Sequence, residues 1–182
     1  MSHHLLAICF DFGDTLDDQG TEIKDQALTA LRAELIPGVS DLIPELRRRG
    51  YRLAVVSNGP VGSISNVLGA HGILDLFEVC AISQGLGIEK PDPRIFGYAL
   101  DHLGVPRDQV GRTVMVGNEL AADVAGANAM GMISVWLDWA PRHRKTPANG
   151  LEIPQHRIRQ PLELLSVIDE LEGRFSTGGS GA

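Results

Sequence analysis

The residues of this chain best suited to chemistry stand directly after apolar runs. Residues 7–10 (Ala-Ile-Cys-Phe) lead into Asp11, and Phe12-Gly13-Asp14-Thr15-Leu16 follows as a glycine-bearing turn with a hydroxyl. Residues 51–56 lead in the same way into Ser57-Asn58-Gly59, and residues 113–116 into Gly117-Asn118-Glu119, with Asp123 one helical turn later. Lys90 lies in the loop Gly87-Ile88-Glu89-Lys90-Pro91-Asp92-Pro93. A carboxylate can attack, a hydroxyl can donate to developing negative charge, a lysine can offset that charge, and a further amide and acid can hold a cation or a water. Together these are parts for displacement at a charged centre. Each also has an ordinary reading by itself: Asp11 as a turn cap, Ser57 as a turn serine, Lys90 as a surface lysine, Glu119 as an acid at a helix N-terminus.

Such residues need a scaffold that gathers strand ends, and the hydrophobic pattern supplies one. Short apolar runs predict strands near residues 5–11, 51–56, 79–82, 113–116 and 133–137. Helical spacing is predicted over residues 21–35, from Ile23, Ala27, Leu28, Leu31 and Leu35, and again from Pro37 to Gly50, where Val39, Leu42, Ile43 and Leu46 share a face. Arg47, Arg48 and Arg49 close that helix and complement its dipole. Ile64, Val67 and Leu68 mark the next helix. Asp92 caps the one after, with Pro93 in its first turn. Residues 121–130 form a helix rich in small side chains, which lets it lie close against a sheet, and residues 162–171 form the last. Strands alternating with helices predict an α/β fold: a doubly wound, Rossmann-like, three-layer sandwich around a mainly parallel sheet. One domain spans residues 1–175, and residues 176–182, rich in Gly and Ser, read as a disordered tail. Residues 138–155 read as a loop that contains prolines. Trp136 is expected in the core, and His71 and His102 at helix ends or on the surface.

Composition narrows the function. With 182 residues the chain can bury a real core, and 43% apolar with 21% charged residues suits a globular protein. The net charge of −7 argues against a nucleic-acid partner, which needs Lys and Arg for its phosphates. No apolar run reaches the roughly 20 residues of a membrane span, and no signal peptide is evident, so a cytoplasmic location is expected. Cys9 and Cys80 sit in apolar runs and are expected as buried thiols.

The four motifs, in this order, resemble the haloacid dehalogenase superfamily, whose members are mostly Mg²⁺-dependent phosphatases. The resemblance runs from Phe10 to about Leu171. It is carried by Asp11-Phe12-Gly13-Asp14-Thr15-Leu16, Val56-Ser57-Asn58-Gly59, Lys90-Pro91, and Val116-Gly117-Asn118-Glu119 with Asp123. It implies that Asp11 is the nucleophile forming an aspartyl-phosphate, that Ser57 donates to the transferring phosphoryl group, and that Lys90 offsets charge. It also implies substrate contacts from Thr15, Asn58 and Gly59, and an Mg²⁺ held by Asp11, the Gly13 carbonyl, Asn118 and Asp123, with Asp123 alternatively orienting a metal-bound water or Lys90.

Two positions depart from the family pattern. The acid/base aspartate two residues after the nucleophile is Gly13 here, which keeps a carbonyl for metal and deletes the proton carrier; such catalysis is typically worth 10² to 10⁴-fold. Asp14, one residue further on, is expected to point elsewhere. Asn118 replaces a common metal-binding aspartate, so one negative charge is lost. The short runs from Asp11 to Ser57 and from Ser57 to Lys90 leave no room for a large cap. An open site is therefore expected, serving a small phosphorylated substrate, an extended phosphorylated partner, or a homo-oligomer that supplies a lid. Trp139, Arg142 and His143 then either touch substrate or belong to a solvated loop. Three functions compete: a slow Mg²⁺-dependent phosphomonoester phosphatase, a hydrolytic dehalogenase, and a binding or regulatory domain that has lost catalysis.

Overall fold

The computed structural model describes residues 3–178. Its centre is a six-stranded parallel sheet whose strands are β1 (Ala7–Phe10), β4 (Leu53–Ser57), β5 (Val79–Ile82), β6 (Thr113–Gly117), β7 (Ile133–Leu137) and β8 (His156–Ile158). They are ordered β5-β4-β1-β6-β7-β8. β1 lies in the middle, with Ile8 opposite Leu53 on one side and Val114 on the other. Each strand of the central trio is buried throughout, as expected of a parallel sheet covered on both faces.

Alternation along β1 divides the core. Ile8 and Phe10 face the layer formed by α1 (Val39–Arg48), α2 (Val61–Ala70) and α6 (Glu163–Gly178), in a cluster with Leu46, Val55, Leu68 and Leu164. Ala7 and Cys9 face the layer of α4 (Pro93–His102) and α5 (Ala125–Met130), with Val56, Phe96, Leu100 and Ala127. Between β5 and α4 comes the short α3 (Ser83–Leu86). The three-layer sandwich therefore stands, and strand order reverses around β1, where ligands of open α/β sheets bind beyond the strands' C-terminal ends. Asp92 caps α4 through the Arg94 N–H, and Pro93 occupies its first turn, as expected.

Five expectations need correction. Residues 21–35 form no helix: a 3₁₀ turn at Gln19–Thr21 precedes a hairpin of β2 (Ile23–Lys24) and β3 (Ala30–Arg32). Asp25 decides this locally, because its side chain accepts from the N–H groups of Ala27 and Thr29 and so closes a turn that competes with helix. The apolar residues read as a helical face, Ile23, Leu28 and Leu31, are exposed. β8 is a three-residue, half-polar edge strand, and no apolar run in the sequence predicts it. Residues 120–130 open with a π-helical turn, Leu120–Val124, before α5 begins. The small residues there serve a helix contact as well as a sheet contact, since a Cβ on Gly126 would meet the Phe96 ring of α4 at 2.4 Å. Cys9 is buried but Cys80, on the edge strand β5, is exposed. Finally α6 continues through Ser176 and Thr177, so the expected tail is helical up to Gly178, and the rest of that expectation falls outside the described residues. Among the described residues no helix is long and apolar enough to cross a membrane.

Candidate active site

The C-terminal ends of β1, β4 and β6 deliver Asp11, Ser57 and Asn118 to one edge of the sheet. Asp11 is fixed there by its own backbone, whose N–H donates to the Val116 carbonyl at 2.9 Å. Lys90 reaches the same point from the loop before α4. Its Nζ donates to Asp11 Oδ1 and to Asp123 Oδ1, each at 2.6 Å, and all three side chains are buried. Burial opposes the ammonium, but Asp11 and Asp123 outweigh it, so the Lys90 pKa rises and the lysine stays cationic. Two carboxylates share this one cation. Burial, and then the neighbouring Asp11 charge, push Asp123 up to about 7 against the pull of Lys90 and the Glu119 N–H.

These groups floor a cleft of about 400 Å³, lined by Asp11, Gly13, Ser57, Lys90 and Glu119 and by Gln19, Glu22, Lys24 and Leu28 of the hairpin region. Among the described residues the span between β1 and α1 contains this hairpin and no helical cap. The hairpin is tied down rather than loose: Ser63 of α2 accepts from the Ala30 N–H, and Asn66 donates to the Ala30 carbonyl. His71, expected as a cap or surface residue, bonds the Ala33 carbonyl at 2.8 Å and adds a third tether.

Other expected site residues occupy supporting positions. The Asn58 side chain is spent on Lys90, accepting from its N–H at 2.8 Å and donating to its carbonyl at 3.1 Å. It lines the cleft but acts as a brace for the lysine. The Gly59 N–H donates to Ser83 Oγ, and its φ of 151° suits glycine. Thr15 is buried, with Oγ1 3.3 Å from the Asn118 amide, and does not line the cleft.

Asp14 points away from the cleft, as expected. At φ 53° it is fully buried and meets Arg142, His143 (2.6 Å) and the Gln19 N–H (3.1 Å). Burial works against its charge, but hydrogen bonds from Arg142, His143 and Gln19 outweigh that and hold its pKa below the usual value. Arg142 and His143 are thereby removed from substrate: neither lines the cleft, and Trp139 packs against the core. Trp136 is buried as expected, yet it has a polar task as well, donating from Nε1 to the Asn118 carbonyl at 2.9 Å. Gln19 was not foreseen either. Its side chain lies over Gly13, in the space that a side chain there would enter.

The fit of a metal can be tested on these atoms. One terminal atom of the Asn118 amide lies 3.1 Å from Asp11 Oδ2 and 3.1 Å from the Gly13 carbonyl oxygen. Oxygens at right angles around Mg²⁺, each at about 2.0–2.1 Å, are about 3.0 Å apart. With its oxygen turned inward, Asn118 forms a three-oxygen cradle with Asp11 and the Gly13 carbonyl, and its two separations of 3.1 Å suit a small hard cation. Both oxygens of Asp123 already accept a hydrogen bond, one from Lys90 and one from the Glu119 N–H.

Comparison with known proteins bears on the family. A family model described as haloacid dehalogenase-like hydrolase matches residues 5–131. The chain is 35% identical over 135 residues to a glyceraldehyde 3-phosphate phosphatase of Methanopyrus kandleri, an alignment covering 74% of this chain and 57% of that one. A crystal structure of a HAD phosphatase from Thermococcus onnurineus superposes with a TM-score of 0.62 at 32% identity, over 75% of this chain and 59% of that one. A 2-haloacid dehalogenase from Pseudomonas syringae does so with a TM-score of 0.63 at 27% identity, over 76% and 55%. The chain spans about half the length of the curated relatives it matches.

Proposed function

The chain belongs to the haloacid dehalogenase-like hydrolases, and on that premise we propose that it is a phosphomonoester phosphatase working through an aspartyl-phosphate on Asp11. One observation carries the reading: a buried lysine holds two carboxylates at 2.6 Å on the floor of a cleft that also presents Ser57. A carboxylate oxygen of Asp11 attacks phosphorus and the ester oxygen leaves. Lys90 offsets the charge that Asp11 and the incoming phosphoryl group bring together, and the Ser57 hydroxyl donates to a phosphoryl oxygen. Water then cleaves the acyl-phosphate, releasing phosphate and restoring Asp11. Asp123 holds Lys90 in place, and Asn58 holds the backbone that carries it. A bound Mg²⁺ would be held by Asp11, the Gly13 carbonyl and Asn118, and would supply charge neutralisation for the phosphoryl oxygens.

With Gly13 in place of an acid, the leaving group departs without help from that position, so turnover is slow and favours good leaving groups. The cleft suits a small phosphorylated substrate. The phosphatase-named relatives support that class, and the absence of a second acid at Gly13 also suits the dehalogenase reading, to which the Pseudomonas syringae neighbour adds weight.

The experiment measures phosphate release from small phosphomonoesters and chloride release from a 2-chloro acid, each with and without Mg²⁺, for the parent and for Asp11→Asn. Mg²⁺-dependent phosphate release that Asp11→Asn abolishes is the expected result. Metal-free chloride release, or no turnover at high enzyme concentration, overturns it.

A further inference from the structure

The Asn118 amide has two orientations of nearly equal shape, and hydrogen bonding decides between them. One end faces Asp11 Oδ2 and the Gly13 carbonyl oxygen at 3.1 Å each, and the other faces His143 Nε2 at 3.0 Å. The first two neighbours are both acceptors. His143 Nε2 lies 2.6 Å from Asp14 Oδ2, and Asp14 is a buried carboxylate that Arg142 also grips. A carboxylate at that distance requires a proton on Nε2, and Nε2 carries one both in the cation and in one neutral tautomer. His143 Nε2 therefore has no lone pair to offer Asn118, and its single N–H, given first to Asp14, is all that it turns towards the amide.

We propose that His143 is a positioning residue: held by Asp14, it turns the Asn118 amide so that its NH₂ fills the cradle, and it thereby opposes a divalent cation there. With the NH₂ inward, the nitrogen donates to Asp11 and to Gly13, and the amide oxygen shares the single His143 Nε2–H with Asp14 Oδ2. With the oxygen inward, as a cation demands, three oxygens meet and the NH₂ confronts the His143 donor. Metal binding thus costs the rotation of the amide and sets its NH₂ against a nitrogen that has no lone pair to accept it. Thr15 Oγ1, 3.3 Å from the inward atom, can donate or accept and does not discriminate. The inference rests on the cradle assigned under the phosphatase reading. It concerns affinity for the ion alone, so it stands or falls without any turnover.

The test is Mn²⁺ affinity, by titration calorimetry and by electron paramagnetic resonance of free Mn²⁺, on the parent, His143→Ala, Asn118→Asp and the double variant. His143→Ala is expected to bind Mn²⁺ roughly tenfold tighter, on the order of one hydrogen bond's worth of mismatch. Asn118→Asp has no NH₂ to misplace, so it too binds more tightly, and adding His143→Ala to it brings no further gain. His143→Gln, whose amide can offer an oxygen to the Asn118 NH₂, behaves like His143→Ala. Equal or weaker binding by a folded His143→Ala, or the same gain from His143→Ala in the Asn118→Asp background, overturns the proposal. Failure of phosphate release in every variant would leave these affinities intact and would instead count against the phosphatase reading.

Discussion

Placing an acid at Gly13 is the most direct probe of the proposed mechanism. A Cβ built on Gly13 falls 2.3 Å from Gln19 Nε2 and 2.8 Å from Gln19 Cδ. Both atoms belong to the far end of an exposed, flexible side chain, so Gly13→Asp needs Gln19 to turn aside and does not need the backbone to move. Displacing it to a poorer rotamer costs about 0.5–1.5 kcal/mol. An acid/base group is worth about 10² to 10⁴-fold, or roughly 3–5 kcal/mol of barrier. The gain therefore exceeds the steric cost, and Gln19→Ala should release what the clash withholds. The assay is kcat on two phosphomonoesters at saturating Mg²⁺, p-nitrophenyl phosphate and a simple alkyl phosphate. Because the alkoxide leaves poorly without a proton, Gly13→Asp with Gln19→Ala should raise kcat at least about tenfold on the alkyl ester and less on the nitrophenyl ester. Gly13→Asp alone should fall between parent and double variant. No gain on either ester from a double variant with an unchanged circular dichroism spectrum would refute the reasoning.

Two further outcomes follow from buried groups beside the site. Asp17 is fully buried, its ionised carboxylate finds no donor among the described residues, and burial, followed by the charges of Glu22, Asp14 and Asp11 and by a hydrogen bond to Glu22 that needs the proton, pushes its pKa up to about 8. The folded state keeps this proton at pH values where the unfolded chain has released it, so stability falls as pH rises from about 4 towards 8. The interval from 3.8 to pH 7 bounds the cost at about 4 kcal/mol; Asp17→Asn should match the parent at pH 4 and gain several degrees in Tm at pH 7, and an equal difference at both values would refute this. Gly117→Ala would place a Cβ 2.2 Å from the Asp123 carboxyl, which is buried and held by Lys90, so the carboxyl must leave its partner. A loss of about 2–4 kcal/mol is expected, read as a drop in Tm and in phosphate release together; an unchanged Tm would show that Asp123 is less tightly placed than its contacts indicate.

The strands that carry the site were legible because Asp11, Ser57 and Asn118 stand at the ends of apolar runs. Asp11, Ser57 and Asn118 could be assigned to strand ends, and the parallel sheet around them inferred, from one-dimensional pattern alone. The hairpin was misread for the same reason: Ile23, Leu28 and Leu31 repeat at helical spacing, but spacing does not say whether a core lies opposite. Asp25 offered a competing turn, and α2 offered the tethers that made it win.

What the sequence by itself determined was the reactive set and its order, because a strand end and the residue beyond it are fixed by neighbours in the chain. The tertiary structure decided the rest. The Lys90 contact joins residues 79 positions apart, and the Arg142 contact to Asp14 joins residues 128 apart. Nothing local in either stretch marks such a pairing, since an ion pair in the interior is selected by the cost of leaving a charge unpaired after folding. The partners of Asp14, Arg142 and His143, were likewise set by the fold. The orientation of Asn118, on which the character of the cradle turns, is set by which donors and acceptors the finished fold places around one amide.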